Sequence, residues 1–404
     1  MARKPLQVTD PQRLPELFRD SRYAGLLGPA RMLSVSGTRR DIRARLREHC
    51  SDLPGVYGMV TATGQLIYVG MSRHLCRRLL SYFSSNVSQS KERRIGYRST
   101  LLLWQPAGHE LIARLREREL IRLYRPNHNV QGHPTRMKLG YLVLVDQPAP
   151  AFTLSSRIPR KHHGIWGPLP LTKFLKQAVG ELNQHFRLRD CPRETPIHFQ
   201  KMGSRSSVLL STSCLRAELK TCLAPCIAGC SQQTYTRQLN AARKFLNGDT
   251  ALAIQQIDSG MRVAVQARKF ERAAVLRDRR QALERISLHL RRFHDWTSQA
   301  HFVYPFSSLL DGSNWWLVVV RGIVVDQWNL SPTNSFAEIF SERLKRLEEW
   351  SAGTEQQSSL TGPDEFESSR LLCQWFRHFP EEKERQCSLA KARRICQSKL
   401  RRKH

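Results

Sequence analysis

The chain has 404 residues, of which 65 are Lys or Arg and 34 are Asp or Glu, so its formal charge is +31. This excess predicts a polyanionic partner, because lysine and arginine release the counterions condensed on a phosphate backbone. Charge alone also leaves open an anionic membrane or a ribosome. The N-terminal stretch MARKPLQVTDPQRLPELF has no apolar core of signal-peptide length, and the most apolar run, residues 315–325, is interrupted by Arg321-Gly322. We therefore expect a cytoplasmic, nucleoid-associated protein with no membrane segment.

The first part of the chain divides into a basic N-terminal arm, residues 1–45, and a small α/β unit, residues 46–135. Two short apolar runs joined at Thr63-Gly64 predict a hairpin, and apolar residues four apart predict a helix behind it. A second helix ends before Pro126, which cannot continue it. The predicted elements are strand 55–62, strand 65–70, helix 72–83, strand 99–105 and helix 109–124.

The rest of the chain predicts further segments of the same α/β (α+β) class, without internal repeats. Residues 136–240 begin with a strand and form a cysteine-rich domain. The segment 245–292 is almost free of glycine and proline, with a break near 267–270, which predicts an αα-hairpin. A small strand-helix domain is predicted for 296–350. Residues 351–404 predict a linker, a helix and a basic tail that contacts nucleic acid.

Glu117 lies on the apolar stripe of the second predicted helix. The apolar residues that share its face are Ala113, Leu120, Ile121 and Tyr124. A buried carboxylate without a partner is costly, so it needs a cation, either an arginine or a hard divalent metal ion. The alternative is a surface glutamate paired with Arg114 or Arg118 at helical spacing.

Three groups of strings carry a family resemblance: GVYGMV with LIYVG, then CRRLLSYF, then LIARLRERELIRLYRPNHN. Together they resemble the GIY-YIG nuclease domain of the UvrC excinuclease family. The resemblance implies a small domain with a mixed or antiparallel three-stranded sheet and helices. It also implies a phosphodiesterase site at the matching positions, which are Tyr57, Tyr68, Arg78, Tyr82, Glu117 and Asn129.

The chemistry that the resemblance implies suits these residue types. A divalent ion held by Glu117, Mg²⁺ or Mn²⁺, would neutralise the scissile phosphate and the leaving 3′ oxygen. Arg78 would stabilise charge on the non-bridging oxygens. Tyr57 or Tyr68 is expected to activate or orient the attacking water, although a phenol with a pKa of ~10 is a weak base.

The other two motif residues, Tyr82 and Asn129, are expected to position the phosphate or to hold the site together. One departure from the family pattern stands at Met71, where UvrC proteins usually have lysine after the YIG motif. Because the six other positions match, we expect this change to lower the rate rather than to abolish activity.

Four of the ten cysteines fall in one basic region, in the strings FRLRDC and CLRAELKTCLAPC. These strings resemble the UvrC segment whose cysteines are implicated in holding a [4Fe–4S] cluster, and the matching positions are Cys191, Cys214, Cys222 and Cys226. Thiolates are the usual ligands of such a cluster. A structural Zn²⁺ in a Cys₄ site and four unligated thiols stay open, since spacing alone does not fix the metal. Cys230 is an extra thiol that could replace one ligand.

The string RKFERAAVLRDRRQAL in the helical hairpin resembles the UVR motif shared by the UvrB and UvrC proteins of the excinuclease. The resemblance implies that the hairpin docks on a similar hairpin of a UvrB-like partner. The residues expected to bind it are Phe270, Glu271, Ala274, Arg277 and Asp278. Periodicity alone favours a generic amphipathic helix pair within one core.

The resemblance covers residues from about 46 to 330, and 112 residues follow Arg292. These are too few for both the RNase H-like nuclease and the helix-hairpin-helix units of UvrC. We therefore expect a UvrC-like endonuclease with one active site, which cuts damaged duplex DNA on the 3′ side of a lesion in nucleotide excision repair. Two alternatives stay open: a GIY-YIG endonuclease acting on branched or foreign DNA, and a catalytically weak regulator that binds DNA or UvrB.

Overall fold

The structure is a computed structural model that describes residues 18, 20–84, 91–129, 139–200, 214–330, 335–352 and 363–401. The chain forms two compact units. The first combines Met1–Met137 with Trp296–His404, and the second is Lys138–Asp295. The middle of the predicted linker, at 353–362, lies outside the described residues. Across the described ranges, no helix combines the length and the apolar character needed to traverse a bilayer.

The N-terminal part of the first unit is an antiparallel sheet flanked by helices, which confirms the predicted α/β class. Its described strands have the order β1-β4-β2-β3. The elements in chain order are β1 (Arg31–Ser34), α1 (Arg39–His49), β2 (Gly55–Val60), β3 (Leu66–Ser72), α2 (Leu75–Ser81), α3 (Lys91–Arg98), β4 (Leu101–Pro106) and α4 (Glu110–Tyr124). The β2–β3 hairpin and α4 agree with the sequence prediction to within a few residues.

This sheet has one strand more than the three that were predicted. The added strand, β1, comes from the predicted N-terminal arm and pairs with β4. Only Leu33 of its four residues is buried, so the sequence has no alternating run that would indicate a strand. The predicted boundary at 45/46 also falls inside α1, which a capping box between Thr38 and Asp41 begins.

The second unit packs a small sheet, of described strand order β6-β5-β7, with helices around one apolar core. Its elements are β5 (Leu139–Val145), β6 (Phe152–Ser155), β7 (His162–Pro170), α5 (Lys173–His185), α6 (Leu215–Glu218), α7 (Gln232–Leu246), α8 (Ala251–Gln266) and α9 (Phe270–Gln299). The predicted αα-hairpin is α8 and α9. Its break falls where Arg268 adopts a positive φ of 55°.

The C-terminal part of the first unit builds a second antiparallel sheet, of described order β10-β9-β8-β11. Its elements are β8 (Phe302–Ser307), β9 (Asn314–Val320), β10 (Ile323–Asn329), α10 (Ser335–Ala352), α11 (Pro363–His378), α12 (Pro380–Glu384), β11 (Cys387–Ser388) and α13 (Leu389–Arg401). One apolar core joins Leu111, Ile112 and Leu115 of α4 to residues of β8, β9 and α11. The C-terminal part therefore helps to fix the position of α4.

The predicted basic tail is largely the helix α13. Its buried residues Leu389, Ala392 and Cys396 share an apolar core with Phe340 and Leu344 of α10. The tail is therefore part of the packed unit over its described length.

Candidate active site

Tyr57, Arg78 and Tyr82 form one hydrogen-bonded cluster. Tyr57 lies in β2, whereas α2 carries Arg78 in its last turn and is capped by Tyr82. The two phenol oxygens are 3.0 Å apart. Arg78 donates from Nε to Tyr57 at 3.1 Å and from Nη2 to Tyr82 at 3.3 Å. Its guanidinium also lies 5.0 Å from the centroid of the Tyr82 ring, a cation–π contact that fixes the group further.

Tyr68 and Gly70 of β3 complete this cluster. The ring centroids of Tyr68 and Tyr57 are 6.0 Å apart. Gly70 pairs directly with Tyr57 across the hairpin, and a Cβ atom on Gly70 would lie 2.6 Å from the Tyr57 phenol. Glycine is needed here because the tyrosine ring occupies the space that a side chain would fill.

Burial raises the pKa of both strand phenols. Desolvation raises the pKa of Tyr57 well above its usual value, and the neighbouring Tyr82 raises it further, against the opposing charge of Arg78. Desolvation likewise raises the pKa of Tyr68, with contributions from Tyr57 and from the charge of Glu117. A raised pKa makes both phenols less available as bases, while their hydroxyl groups can still form hydrogen bonds.

Glu117 is half-buried on α4, in agreement with its place on the apolar stripe. Its carboxylate accepts a hydrogen bond from the backbone N–H of Met71, and desolvation raises its pKa against this bond and the opposing charges of Arg118 and Arg114. Of the two arginines in the alternative of a surface pair, Arg114 donates to Glu110 at 3.0 and 2.7 Å, whereas the charge of Arg118 is the larger one that acts on Glu117.

The carboxylate and the phenols face the same region between β3 and α4. The helix packs directly on this strand, and the charge of Glu117 acts on the pKa of Tyr68. Five of the six residues predicted for the site, all except Asn129, are thus brought together.

Asn129 lies behind the site. Its side chain accepts a hydrogen bond from the Val69 N–H at 2.9 Å and donates one to the Val69 carbonyl at 2.6 Å. Because β3 is an edge strand among the described strands of its sheet, this pair of bonds satisfies main-chain groups that no described strand pairs with. Of its two predicted roles, the geometry favours holding the site together by fixing β3 between Tyr68 and Gly70.

Glu117 fits a divalent cation in this site. Mg²⁺ takes oxygen ligands, keeps several waters and uses one or two protein carboxylates together with substrate phosphates. A desolvated carboxylate gains more from a nearby cation than an exposed one does. In the described part of the chain, no three His, Cys, Asp or Glu side chains converge on a metal position, so water and phosphate would supply the other ligands.

Two family models match the chain and confirm the predicted resemblance. The model of a UvrC-like GIY-YIG domain matches residues 53–130, and the model of the UvrC/Cho excinuclease middle domain matches residues 140–245. This chain is UvrC-like. UvrABC system protein C of Alcanivorax borkumensis is 31% identical over 238 residues, which cover 59% of this chain and 37% of that protein. The protein of the same name from Methylobacillus flagellatus is 29% identical over 235 residues, with coverages of 58% and 37%.

The UvrC-like chain thus spans little more than a third of the length of these relatives. Among solved structures it is similar to the GIY-YIG N-terminal endonuclease domain of UvrC from Thermotoga maritima, which was crystallised with its catalytic divalent cation, magnesium. That domain is 32% identical, and the match covers 21% of this chain and 97% of that one, with a TM-score of 0.19.

Met71 contributes to the UvrC-like site in a way that the sequence did not predict. Its side chain, in the place of the usual lysine, packs against two apolar clusters. Its backbone N–H binds the carboxylate of Glu117. Because any residue except proline supplies that N–H, no side-chain pattern could have indicated it.

The four predicted cluster ligands of the UvrC-like chain lie near one another without forming a metal centre. Burial raises the pKa of Cys226, and the neighbouring Cys214 and Cys191 raise it further. Burial also raises the pKa of Cys222 to about 11, and its sulfur accepts a hydrogen bond from the Ala224 N–H at 3.3 Å. Among the residues that the structure describes, no three potential ligands are grouped to hold a metal.

The helical hairpin of the UvrC-like chain is buried at one end and open at the other. Its buried residues, Ile257, Leu283 and Ile286 among them, belong to the core of the second unit. Large apolar side chains near the α8–α9 break are exposed: Val263 by 64%, Phe270 by 65% and Val275 by 55%. Of the residues predicted to bind a partner, Phe270, Glu271, Arg277 and Asp278 are exposed and Ala274 is half-buried.

Proposed function

We propose that this chain is a metal-dependent DNA endonuclease of nucleotide excision repair, which hydrolyses a phosphodiester on the 3′ side of a lesion at its GIY-YIG site. The observation that carries the proposal is the cluster of Tyr57, Arg78 and Tyr82 beside a desolvated Glu117, within a segment that matches the UvrC-like nuclease model. With a damaged chromosome as its substrate, the protein would act at the nucleoid in the cytoplasm.

In the proposed reaction, water forms a bond to phosphorus and releases a proton to solvent, while the bond from phosphorus to the 3′ oxygen breaks and that oxygen takes up a proton from solvent. The strand then ends in a 3′ hydroxyl on one side and a 5′ phosphate on the other. A divalent cation, when bound, would stabilise charge on the phosphate and on the leaving oxygen. Glu117 is the residue that would hold this cation.

The other residues act on the phosphate and on the water. Arg78 carries a permanent charge and would bind the non-bridging oxygens, where charge grows in the transition state. Tyr57 and Tyr68 would orient the attacking water through their hydroxyl groups. Tyr82 holds the Arg78 guanidinium, and Asn129 holds β3.

The exposed end of the helical hairpin is the surface that we propose for a UvrB-like partner. A helix pair that leaves Val263, Phe270 and Val275 in water gains from docking them in a partner's apolar groove. Arg277 donates to the neighbouring Asp278 at 3.0 and 2.8 Å. The exposed apolar side chains nevertheless lie beside a net positive charge, since Arg262, Arg268, Lys269 and Arg272 near the α8–α9 break outnumber Glu271.

The [4Fe–4S] assignment to Cys191, Cys214, Cys222 and Cys226 stays a prediction, with Zn²⁺ as its alternative. The geometry of the described thiols does not match a ready-made site. Iron, zinc and acid-labile sulfide should be measured in protein purified without oxygen. Four equivalents each of iron and sulfide would support the cluster, and one zinc would favour the alternative.

The proposed function is tested with a duplex that carries one bulky adduct and a label at either end. Wild type and Glu117→Gln are compared with Mg²⁺, UvrA and UvrB present. A single cut 3′ to the adduct, absent in the variant, is the expected result. Cleavage of branched DNA without preference for the adduct would favour the non-repair endonuclease, and intact DNA binding without any cut would favour the regulator.

A further inference from the structure

The C-terminal part of the first unit covers one side of α4. Leu372 and Trp375 of α11 belong to the same apolar core as Leu111 and Leu115 of α4. This part of the chain lies outside both segments that match the family models. The surface next to Glu117 is therefore built partly from residues that the family models do not describe.

Two arginines at this surface share one carboxylate and lie over two aromatic rings. Arg73 and Arg114 both pair with Glu110. The guanidinium of Arg73 lies 5.1 Å from the centroid of the Phe379 ring, and that of Arg114 lies 5.8 Å from the centroid of Trp375. Two guanidinium groups on one carboxylate leave a net positive charge. The ion pairs and ring contacts hold that charge in place before any ligand arrives.

An open groove of about 340 Å³ lies along this surface. The residues of its lining that carry the argument are Arg114, Gln374, Trp375, Arg377, His378 and Phe379. They offer guanidinium, amide and imidazole hydrogen bonds together with the half-buried ring of Phe379, which packs on the buried Trp375, and none of the described lining residues is acidic. This combination of positive charge and aromatic rings is the one that binds single-stranded or unstacked nucleic acid.

The groove is within a few nucleotides of the proposed reaction centre. Arg114 precedes Glu117 by three residues, a rise of about 4.5 Å along a helix, and residues at this spacing lie on neighbouring positions of one face. Successive nucleotides of a stacked strand advance by about 3.4 Å along the duplex axis, and their phosphates lie farther apart than this rise. A strand whose scissile phosphate lies at Glu117 therefore brings the next one or two phosphates to Arg114.

We propose that this groove binds the DNA strand being cut, one or two nucleotides from the scissile phosphate. Phosphates contact Arg114 and Arg377, and an unstacked base lies against Phe379. The identity of the strand rests on the proposed function. Because phosphate contacts fix register and every base has an aromatic face, the groove contributes affinity and placement rather than sequence preference.

The test measures binding in a Glu117→Gln background, in which the DNA stays intact. The probes are a fluorescent duplex with one bulky adduct and a single strand of the same length, each titrated over a range of salt concentrations. Arg377→Ala should weaken binding and reduce the slope of log Kd against log salt by about 0.9 for the duplex and about 0.7 for the single strand. Phe379→Leu, which keeps apolar volume, should weaken single-strand binding by roughly fivefold or more.

Arg370→Ala is the matched control. Arg370 is an exposed arginine of the same helix and does not line the groove, so its loss should leave both the Kd and the salt slope nearly unchanged. Equal losses of DNA affinity in Arg370→Ala and Arg377→Ala would contradict the proposed groove, because the protein's overall positive charge would then explain the binding. Unchanged binding in both Arg377→Ala and Phe379→Leu would also overturn it.

Failure of the proposed function is a distinguishable result. If wild type cuts no DNA while binding still depends on Arg377 and Phe379, the nuclease proposal fails and the groove stands. If wild type cuts normally and the groove variants bind and cut as well as it does, the groove fails and the nuclease proposal stands.

Discussion

Tyr57 and Gly70 face each other across the β2–β3 hairpin, and the Tyr57 phenol fills the space in which a Gly70 side chain would begin. Gly70→Ala would force this ring away from Arg78. We expect a loss of about 1–3 kcal/mol in the free energy of unfolding, as overpacking a core causes. Misplacing the site by ~1 Å should slow incision about 100-fold. Single-turnover incision and urea unfolding measure the two effects.

Gly180→Ala is the matched control for this substitution. Gly180 lies inside α5, and a Cβ atom there would have no neighbour within 4 Å. Alanine should therefore stabilise the protein by roughly 0.5–1 kcal/mol and leave incision unchanged. If Gly70→Ala behaved like Gly180→Ala, the packing of Tyr57 on β3 would have no part in activity.

The second prediction concerns the two phenols that Arg78 holds. Tyr57→Phe removes one acceptor of Arg78 and one partner of Tyr82, so we expect incision to slow by about 100-fold. Because the groups act as one cluster, Tyr82→Phe should add little to Tyr57→Phe in the double variant. Rate effects that simply multiplied would show that the phenols act independently.

The third prediction compares the effects on stability of substituting two glutamates of α4, Glu117 and Glu119. Burial raises the pKa of Glu117, so the group contributes stability below its unfolded pKa and loses that contribution as pH rises through the folded pKa. At neutral pH the ionised carboxylate therefore costs stability. Glu117→Gln should abolish incision and yet raise the free energy of unfolding by roughly 0.5–2 kcal/mol, a gain that shrinks as the pH falls toward about 4.

Glu119→Gln should have the opposite effect on stability. The Glu119 carboxylate accepts hydrogen bonds from Arg116 at 2.7 Å and from Ser21 at 2.6 Å, so the variant weakens a charged, partly buried pair. Urea unfolding of both variants at neutral pH tests the comparison. A Glu117→Gln protein no more stable than wild type would contradict the argument from desolvation.

The fourth prediction concerns pH and the start of α4. His109 accepts the Leu111 N–H on Nδ1 at 3.2 Å, and its Nε2 lies 3.3 Å from the hydroxyl of Tyr304, which donates to Glu382 at 2.6 Å. Burial lowers the pKa of His109 despite the opposing charges of Glu382 and Glu110. The unfolded chain thus binds the proton first, and stability falls as pH drops from the ordinary value of ~6.5 toward the lowered one.

His109→Asn keeps a side-chain oxygen that can cap the helix and removes the titrating group. We expect its urea midpoint to change less than that of wild type between about pH 7.5 and about pH 5. His185, whose burial lowers its pKa to about 4, remains in both proteins and contributes equally. Identical pH profiles would show that the His109 cap does not titrate in this range.

The sequence predicted the site better than its surroundings. Glu117 could be found from helical periodicity, because an acid on an apolar stripe is a local pattern. Arg116, the residue before it, is fully buried and donates to the carbonyls of Phe18 and Asp20 at 2.6 and 2.8 Å. These main-chain acceptors are almost a hundred residues away in the sequence, and the spacing of apolar residues within α4 carries no information about them. The contact between Arg116 and the N-terminal segment therefore could not be predicted.

The packing of α11 on α4 could not be predicted for the same reason. The sequence predicts α11 as a helix, but helical spacing does not indicate which element lies against Trp375. Contacts between distant parts of a chain depend on the fold as a whole, whereas the residues of the tyrosine cluster belong to strings that a family shares. The prediction was therefore most accurate where the chain resembles its relatives.

Because residues 296–404 share one core with α4, the matched segment 53–130 is not a self-contained module in this protein. A recombination event that moved this segment alone would carry the tyrosines and Glu117, but it would leave Leu111, Ile112 and Leu115 facing water. It would also leave behind β1 and α1. Changes in α4 and in α11 are therefore expected to track each other among proteins that share this core.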